Sequence, residues 1–259
     1  MIFYNITKID KLSKRTVTMP RKTTFTDNQY QGHKLTEQNL TFNKNAMKKI
    51  LEMTNSMIAR HSKVLQIRFD LRYPQDHIPP QSTSRGRKRS DFSKAMQAVT
   101  QELNRKHLDV QYIGKEEREN SIHPHAHFGL QINGNKKQYR NSILPIVEKH
   151  WGHTLNIPAE EVHRKQLVFP CNKDGEGNPR ANGYRIDRND VLHFQDQKDA
   201  AIRQLSYLAK EREGDTLPKG TRRYYFSQYQ KDYDKDMERR KKWGQRRKGS
   251  SHDEAEGAE

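Results

Sequence analysis

Two histidines separated by a single residue form the part of this sequence best suited to metal chemistry. They are His125 and His127, within the run IHPHAHFGL at residues 122–130. Successive side chains of a β-strand point to opposite faces, so a strand here places both imidazoles on one face and apolar residues on the other. Two neighbouring imidazoles can share one divalent ion. Imidazole binds Mn, Ni, Co or Zn readily, whereas Mg needs oxygen ligands alongside.

A third ligand for such an ion can come from His123 or from the acidic end of the preceding strand. That strand is predicted over residues 109–117 and ends with Glu116 and Glu117. Each glutamate shares its face with apolar residues, so alternation along the strand leaves both open. Without a metal, the same histidines would be hydrogen-bonding residues on a half-exposed sheet.

Tyr207, near the end of a later helix, is the candidate nucleophile. The segment 197–210 has helical periodicity, and its apolar residues fall within about a third of a turn at ~100° per residue. Tyr207 lies ~160° from the centre of that stripe, on a flank shared with Arg203 and Lys210. A tyrosine with a pKa near ~10 needs a nearby cation or base to act as a nucleophile, and Lys210 can supply part of that field. The alternative is a tyrosine at the rim of the core.

The helices and strands predicted around these groups indicate an α+β fold with a central antiparallel sheet and helices mainly on one face. Pro145 means that one helix either kinks or begins close to that residue. Ser90 is suited to cap a helix, because its hydroxyl can accept from the first-turn amides. The predicted helices are 45–60, 90–106, 139–151 and 197–210, and the predicted strands are 64–72, 109–117, 125–133, 167–169 and 222–227.

Composition narrows the partners and the chemistry. The chain of 259 residues has 49 Lys and Arg against 32 Asp and Glu, a net charge of +17, which favours a polyanionic partner such as nucleic acid. No apolar run reaches the ~20 residues that span a bilayer, and the first residues do not resemble a signal peptide, so we expect no membrane partner and a cytoplasmic location. The single cysteine, Cys171, excludes a cysteine zinc cage and leaves His, Asp and Glu as metal ligands.

The sequence resembles the HUH endonuclease superfamily, whose marks are a His-hydrophobe-His strand followed by a helix with Tyr-x-x-Lys. Residues 125–127 (HAH) and 207–210 (YLAK) match both marks in that order, and residues 65–71 occupy the place of the first structural strand. Within the superfamily, the run 123–127 (HPHAH), Glu117 and SYLAK at 206–210 resemble the inovirus gene-two type of replication initiator. The likeness covers roughly residues 45–230.

The resemblance implies a role for each matched residue. His125, His127 and Glu117 are expected to bind a divalent ion, Mg or Mn; Tyr207 is expected to be the nucleophile, with Lys210 as its electrostatic partner. The expected fold is the RRM-like palm of the superfamily. Arg203 and Glu211 occupy the positions four residues from Tyr207, where some members carry a second tyrosine, so this resembles a single-tyrosine enzyme.

The expected activity is nicking and joining of one DNA strand at a replication origin through a 5′-phosphotyrosine, which starts rolling-circle replication of a phage or related mobile element. The substrate is expected to be single-stranded DNA or an origin hairpin, in a bacterial cytoplasm, with a host replication helicase as a possible partner. A transposase or relaxase with the same chemistry is one alternative. A DNA-binding regulator without catalysis, of phage or plasmid origin, is the other.

Three parts are expected along the chain. They are a polar arm over 1–34, an endonuclease domain over 35–230, and a basic helix with an acidic, disordered tail over 231–259. Basic side chains outside the site either contact DNA phosphates or are simply solvated. The candidates are Arg85, Arg87, Lys88, Arg89 and Arg203.

Overall fold

A computed structural model describes residues 23–36, 40–77, 90–118, 123–137, 139–173, 176–211, 217 and 223–227. In these ranges the chain forms eleven strands and five α-helices. They are β1 Thr24–Phe25, β2 Gln29–Tyr30, β3 His33–Lys34, β4 Thr41–Asn43, α1 Lys44–Arg60, β5 Lys63–Arg72, α2 Asp91–Arg105, β6 Gln111–Glu117, β7 His125–Asn133, α3 Leu144–Leu155, α4 Ala159–Arg164, β8 Val168–Phe169, β9 Tyr184–Asp187, α5 Phe194–Ser206, β10 Lys210–Glu211 and β11 Tyr224–Phe226.

The central sheet has six strands, in the order β11-β6-β7-β5-β8, and β9 also pairs with the outer edge of β5. All of these pairings are antiparallel. The register places Asp70 and Lys115 on either side of His127. Residues directly opposite each other in an antiparallel sheet share a face, so these three side chains lie on the same face.

The other face of the sheet carries the main hydrophobic core. Alternate residues of β5 and β7 are apolar and pack against α2, α3 and α4 in one cluster that includes Phe69, Phe128 and Trp151. Helix α2 begins where the Ser90 hydroxyl accepts a hydrogen bond from the backbone N–H of Ser93, at 3.3 Å. Helix α3 begins at Leu144 with Pro145 in its first turn, where proline is tolerated because that amide has no partner within the helix.

Helices α1 and α5 pack on the histidine face of the sheet. Their apolar stripes meet Ile113 of β6 in a second cluster, to which Phe25 and Leu35 also belong. The α+β antiparallel fold is therefore confirmed, with α2, α3 and α4 on one face and α1 and α5 on part of the other. The short strand β1 pairs with β4, so residues 24–25 of the predicted arm are joined to the domain.

Helix α5 ends earlier than the periodicity predicts. The predicted helix runs to Lys210, but α5 stops at Ser206, and residues 207–209 form a 3₁₀ turn. Lys210 and Glu211 then form β10, which pairs with β4. Pairing with β4 requires extended backbone, so the helix cannot continue through Lys210.

Several predicted segments lie outside the described residues. They are residues 1–22 of the arm, the basic loop with Arg85 to Arg89, and the C-terminal basic helix and tail. The division at residues 34 and 230 therefore stays a proposal. Among the described residues, the helices are all too short or too polar to cross a lipid bilayer.

Candidate metal centre and tyrosine

Three side chains with metal-binding atoms meet on the histidine face of the sheet. Glu117, His125 and His127 each offer one ligand atom, and these atoms all lie within 4.8 Å of one another. Glu117 lies opposite His125 in the β6/β7 register, so the sheet itself brings the carboxylate to the imidazoles. Two imidazoles and one carboxylate form a donor set that suits a divalent transition metal and leaves coordination positions open.

Asp70 on β5 orients the His127 ring through the nitrogen that does not face Glu117. The Nδ1–H of His127 donates to Asp70 Oδ1 at 2.6 Å, and the Cys171 thiol donates to the same oxygen at 3.2 Å. Burial opposes ionisation of Asp70, but the charge and hydrogen bond of His127, helped by Arg68, lower its pKa to about 2. A carboxylate on Nδ1 leaves Nε2 facing Glu117, at 3.2 Å from its Oε2, so Nε2 is the His127 atom available to a metal ion.

Lys115 links the carboxylate ligand to the segment that follows Tyr207. Its side chain is 1% exposed, and its Nζ donates to Glu117 Oε1 at 2.5 Å and to the backbone carbonyl of Lys210. Although burial opposes ionisation, the hydrogen bond and charge of His127 and the ammonium of Lys115 hold the pKa of Glu117 well below its usual range. Glu117 is therefore a carboxylate at neutral pH.

His125 is the more accessible of the two imidazoles. Its ring lies 4.8 Å from that of His127, edge to face. Burial and the neighbouring charge of His127 lower the pKa of His125, so its ring is neutral near pH 7. Neutral imidazole is the form that binds a metal.

Tyr207 lies directly over this cluster. Its ring centroid is 5.4 Å from that of His127, and the two rings meet edge to face. The Arg68 guanidinium lies on the tyrosine ring, 3.8 Å from its centroid, and Lys210 Nζ is 5.8 Å from the same centroid. Two cations thus lie close to the Tyr207 ring on the histidine face of the sheet.

A buried layer of amides fixes α5, and with it Tyr207, to the sheet. Gln66 Nε2 donates to the Ala201 carbonyl at 2.8 Å and to Gln204 Oε1 at 3.0 Å, while Gln131 Nε2 donates to Gln66 Oε1 at 2.8 Å. Further along β7, Gly129 leaves the space that Leu205 fills, because an added Cβ there would lie 2.1 Å from the leucine Cδ2. The helix can therefore approach the sheet closely, two residues before the tyrosine.

The model of the YagK/YfjJ C-terminal domain family matches residues 25–228. This chain belongs to that family. Among solved structures, one match is the N-terminal nuclease domain of non-structural protein 1 of minute virus of mice, with 10% identity, a TM-score of 0.33, and coverage of 62% of this chain and 98% of that one. Comparison with curated proteins gives no match.

In this YagK/YfjJ-family chain, the strand register separates the three candidates for the third ligand. Glu116 is on the opposite face from the histidines, where its carboxylate accepts from the Tyr225 hydroxyl. The His123 ring is 2.9 Å, through Nε2, from the backbone carbonyl of Gln75. Glu117 alone of the three lies among the clustered ligand atoms.

The remaining predicted site residues are distributed differently. Lys210 lies near the Tyr207 ring, but it is the first residue of β10 and not part of helix α5. Arg203 is exposed on α5 and belongs to no contact of the cluster described above. The basic residues Arg85, Arg87, Lys88 and Arg89 lie outside the described residues.

Sequence reasoning missed three charged residues of this YagK/YfjJ-family site: Arg68, Asp70 and Lys115. A signal for the first two was present, because the apolar residues of β5 alternate with polar ones, which predicts a polar face on that strand. What was missing was the pairing of β5 with β7, which turns that polar face toward the histidines.

Proposed function

We propose that this chain is a metal-dependent endonuclease and strand transferase of the HUH type, which cleaves one DNA strand with Tyr207. The observation that supports it is the meeting of the Glu117, His125 and His127 ligand atoms and the Tyr207 ring on one face of the sheet. Neither the metal-binding cluster alone nor the tyrosine alone would indicate catalysis. A metal-binding cluster with a tyrosine ring beside it can supply both the nucleophile and the charge stabilisation for covalent phosphodiester cleavage.

In the proposed reaction the Tyr207 oxygen forms a bond to phosphorus while the bond from phosphorus to the 3′ oxygen breaks. The phenol proton passes to water, and the departing 3′ oxygen takes up a proton. The products are a free 3′ hydroxyl and a 5′-phosphotyrosine, which retains the bond energy needed for rejoining. Arg68, packed on the ring, holds the phenol over the site, and Lys210 adds positive charge beside it.

Glu117, His125 and His127 are the residues that would hold the ion, and Mn or Mg is the proposed species. When bound, such an ion polarises the phosphate and offsets charge on its oxygens, a contribution of several kcal/mol. Asp70 keeps the Nδ1 proton on His127, and Lys115 keeps Glu117 ionised and in place.

The biological setting we propose is the start of rolling-circle replication of a phage or related mobile element, as in the inovirus gene-two type that the HPHAH and SYLAK runs resemble. Origin DNA, single-stranded or extruded as a hairpin, is the proposed substrate, in the cytoplasm of a bacterial host. A host replication helicase would unwind the duplex from the nick. Residues 35–230 would be the catalytic part.

The direct test is covalent capture of DNA by the protein. A labelled pool of random 40-nucleotide single strands is incubated with the full chain and Mn²⁺, and denaturing gels are used to detect a protein–DNA adduct. We expect an adduct that needs the metal and is lost in Tyr207→Phe and in His127→Ala. Tyr184→Phe is the matched control, because Tyr184 is a half-buried tyrosine on β9 and lies outside the cluster. Sequencing the captured strands identifies the cleavage site.

The same assay separates the enzyme from the non-catalytic regulator. If the protein is a regulator, the wild type and Tyr207→Phe bind DNA equally well, and neither forms an adduct under any metal condition. An adduct that persists in Tyr207→Phe but is lost when another tyrosine is changed would show that the nucleophile is wrongly assigned.

A further inference from the structure

Two adjoining clefts run along the outer edge of the sheet, beside the metal centre. One, of about 540 Å³, is lined by residues that follow β5 and by the turn before β8. The other, of about 460 Å³, lies between β8, the start of α3 and the loop after β8. Gln166 lines both, so the two clefts adjoin at this residue and together make up the groove at this edge. Both volumes are within the range of ligand-binding pockets.

The strand register connects this groove to the metal centre. Phe169 on β8 lies opposite Asp70, so its ring is on the metal face of the sheet. Arg72 lies opposite His125, and its guanidinium is 5.0 Å from the centroid of the Phe169 ring. The groove therefore begins next to His125, with a half-buried aromatic ring and an exposed cation at that end.

The groove offers the groups that an unpaired nucleotide needs. Phe169 provides a flat surface for a base, and the side chains of Gln166 and Asn172 provide amide donors and acceptors. Arg72, Lys165 and Lys173 supply positive charge. The lining also contains two acids, Asp76 and Glu148. Glu148 lies 2.9 Å from the imidazole of His163, and Lys165 lies 2.7 Å from Glu161, which leaves Arg72 and Lys173 against Asp76 along the groove.

We propose that Phe169 and Arg72 form a subsite for one unpaired nucleotide of the DNA strand, adjacent to the phosphate at the metal centre. The base stacks on the Phe169 ring, and Arg72, which is exposed and can leave the ring, contacts the backbone phosphate of that nucleotide. The adjacency to a scissile phosphate rests on the proposed function. The stacking subsite itself requires only that single-stranded DNA binds this face.

The test compares a strand that has bases with one that has none. Binding of labelled dT20, and of an abasic strand of equal length, is measured by fluorescence anisotropy with Mn²⁺, in a Tyr207→Phe background that prevents cleavage. Phe169→Leu should weaken dT20 binding about tenfold, as expected for one lost base stack, and leave the abasic strand unchanged. Phe169→Tyr should restore dT20 binding. Arg72→Gln should weaken binding of both strands and lower the salt slope by about 0.7, the value for one phosphate contact on a single strand.

Matched controls come from the other end of the molecule. Phe194→Leu alters a half-buried phenylalanine that packs against the cluster around Val64 and Ile186, and Arg105→Gln removes an exposed arginine at the end of α2. Neither should affect the preference for bases. Melting temperatures of all variants report folding separately.

The outcomes distinguish this inference from the proposed function. Equal loss of dT20 and abasic binding in Phe169→Leu, or no loss, overturns the subsite even if wild-type protein forms adducts. If the base-dependent loss is found but wild-type protein forms no adduct, the subsite stands and the nuclease proposal fails.

Discussion

At the scale of single residues, Asp70 is proposed to affect metal binding through its hydrogen bond to His127. Asp70→Asn removes the carboxylate that holds the Nδ1 proton of His127. Loss of such an outer carboxylate commonly costs about 10- to 100-fold in metal affinity, so we expect Mn²⁺ binding by titration calorimetry to weaken to that extent. Adduct formation should recover at saturating Mn²⁺, because Glu117, His125 and His127 are unchanged. Glu116→Gln, which alters a buried carboxylate on the opposite face, should leave metal affinity near wild type.

Lys115 should behave differently, since it contacts both Glu117, a proposed metal ligand, and the backbone after Tyr207. In Lys115→Met the Lys210 carbonyl loses this donor and Glu117 loses its cation. We expect both weaker Mn²⁺ binding and a slower adduct rate that saturating Mn²⁺ does not restore, since the tyrosine segment is no longer fastened to β6. Single-turnover rates at several Mn²⁺ concentrations measure this. Full recovery at high Mn²⁺ would mean that Lys115 acts through the ion alone.

At the scale of elements, the distance between α5 and the sheet sets the position of Tyr207. Gly129→Ala places a Cβ against Leu205, at 2.1 Å before relaxation, so this buried leucine must change its rotamer or α5 must shift outward. Such overpacking costs about 1–3 kcal/mol of stability, and we expect the adduct rate to fall more than tenfold as well. Gly114→Ala is the matched control: its Cβ meets the Phe128 ring at 2.2 Å, in the core on the opposite face. Similar melting temperatures with a lower adduct rate only in Gly129→Ala would support this account, and equal rates would contradict it.

The end of α1 is held by Asp109, which precedes β6. Its carboxylate accepts from Arg60 Nε at 2.7 Å and lies 2.6 Å from His61 Nε2. Burial opposes ionisation, but the hydrogen bond of His61 and the charge of Arg60 lower the Asp109 pKa. A lowered folded-state pKa contributes stability above the unfolded value near ~3.9, which is lost as pH falls through the folded value.

Asp109→Asn should therefore destabilise the fold by about 1 kcal/mol near pH 7, a modest figure because the pair is partly exposed. Asparagine also tolerates the left-handed backbone of this position, where φ is 47°. Thermal melts from pH 7 to pH 3 should show a gap of about 2–4 °C that narrows below about pH 4. A gap that stays constant to pH 3 would show that the charge of Asp109 is not the cause.

Local pattern predicted the long elements well, because periodicity and capping residues act within one element. Strand β7 has the predicted bounds, and α1 and β5 differ from prediction by one residue at an end. Strand β8 lies within the predicted strand 167–169, whereas β9, which was not predicted, and the end of α5 depend on pairing partners far along the chain, which periodicity cannot report. The same holds for the site: the histidine pair follows from alternation in one strand, whereas Asp70 reaches His127 only through the β5/β7 register.

The choice between Glu116 and Glu117 shows why local pattern can fail even at a site residue. Both faces of β6 are buried, one toward the core cluster that includes α2 and α3 and the other against α1 and the turn after α5, so each glutamate has apolar neighbours on its own face. Only the pairing with β7 assigns Glu117 to the histidines.

At the scale of the whole molecule, the site lies where the two halves of the fold meet. The sheet, backed by α2, α3 and α4, provides the proposed metal-binding side chains, and α1 and α5, which pack on the histidine face, position the tyrosine over the same face. Strand β5 ends beside His125 at Arg72, and the segment 78–89 with its basic run connects that end of β5 to α2. We therefore expect the charge of that segment to act on DNA bound at the site.

Salt dependence of DNA binding tests this expectation, because each phosphate contact by a cation releases condensed counterions. For single strands the logarithm of the binding constant falls with the logarithm of salt by about 0.7 for each contact. Replacing Arg85, Arg87, Lys88 and Arg89 together by glutamine should lower that slope by up to about 3 for dT20. The binding constant is measured by fluorescence anisotropy over NaCl concentrations of roughly 50 to 300 mM, in a Tyr207→Phe background. Arg203→Gln should lower it by less than one. An unchanged slope in the fourfold variant would assign these arginines and the lysine to solvated charge, and the net charge of +17 would then act on DNA through other residues.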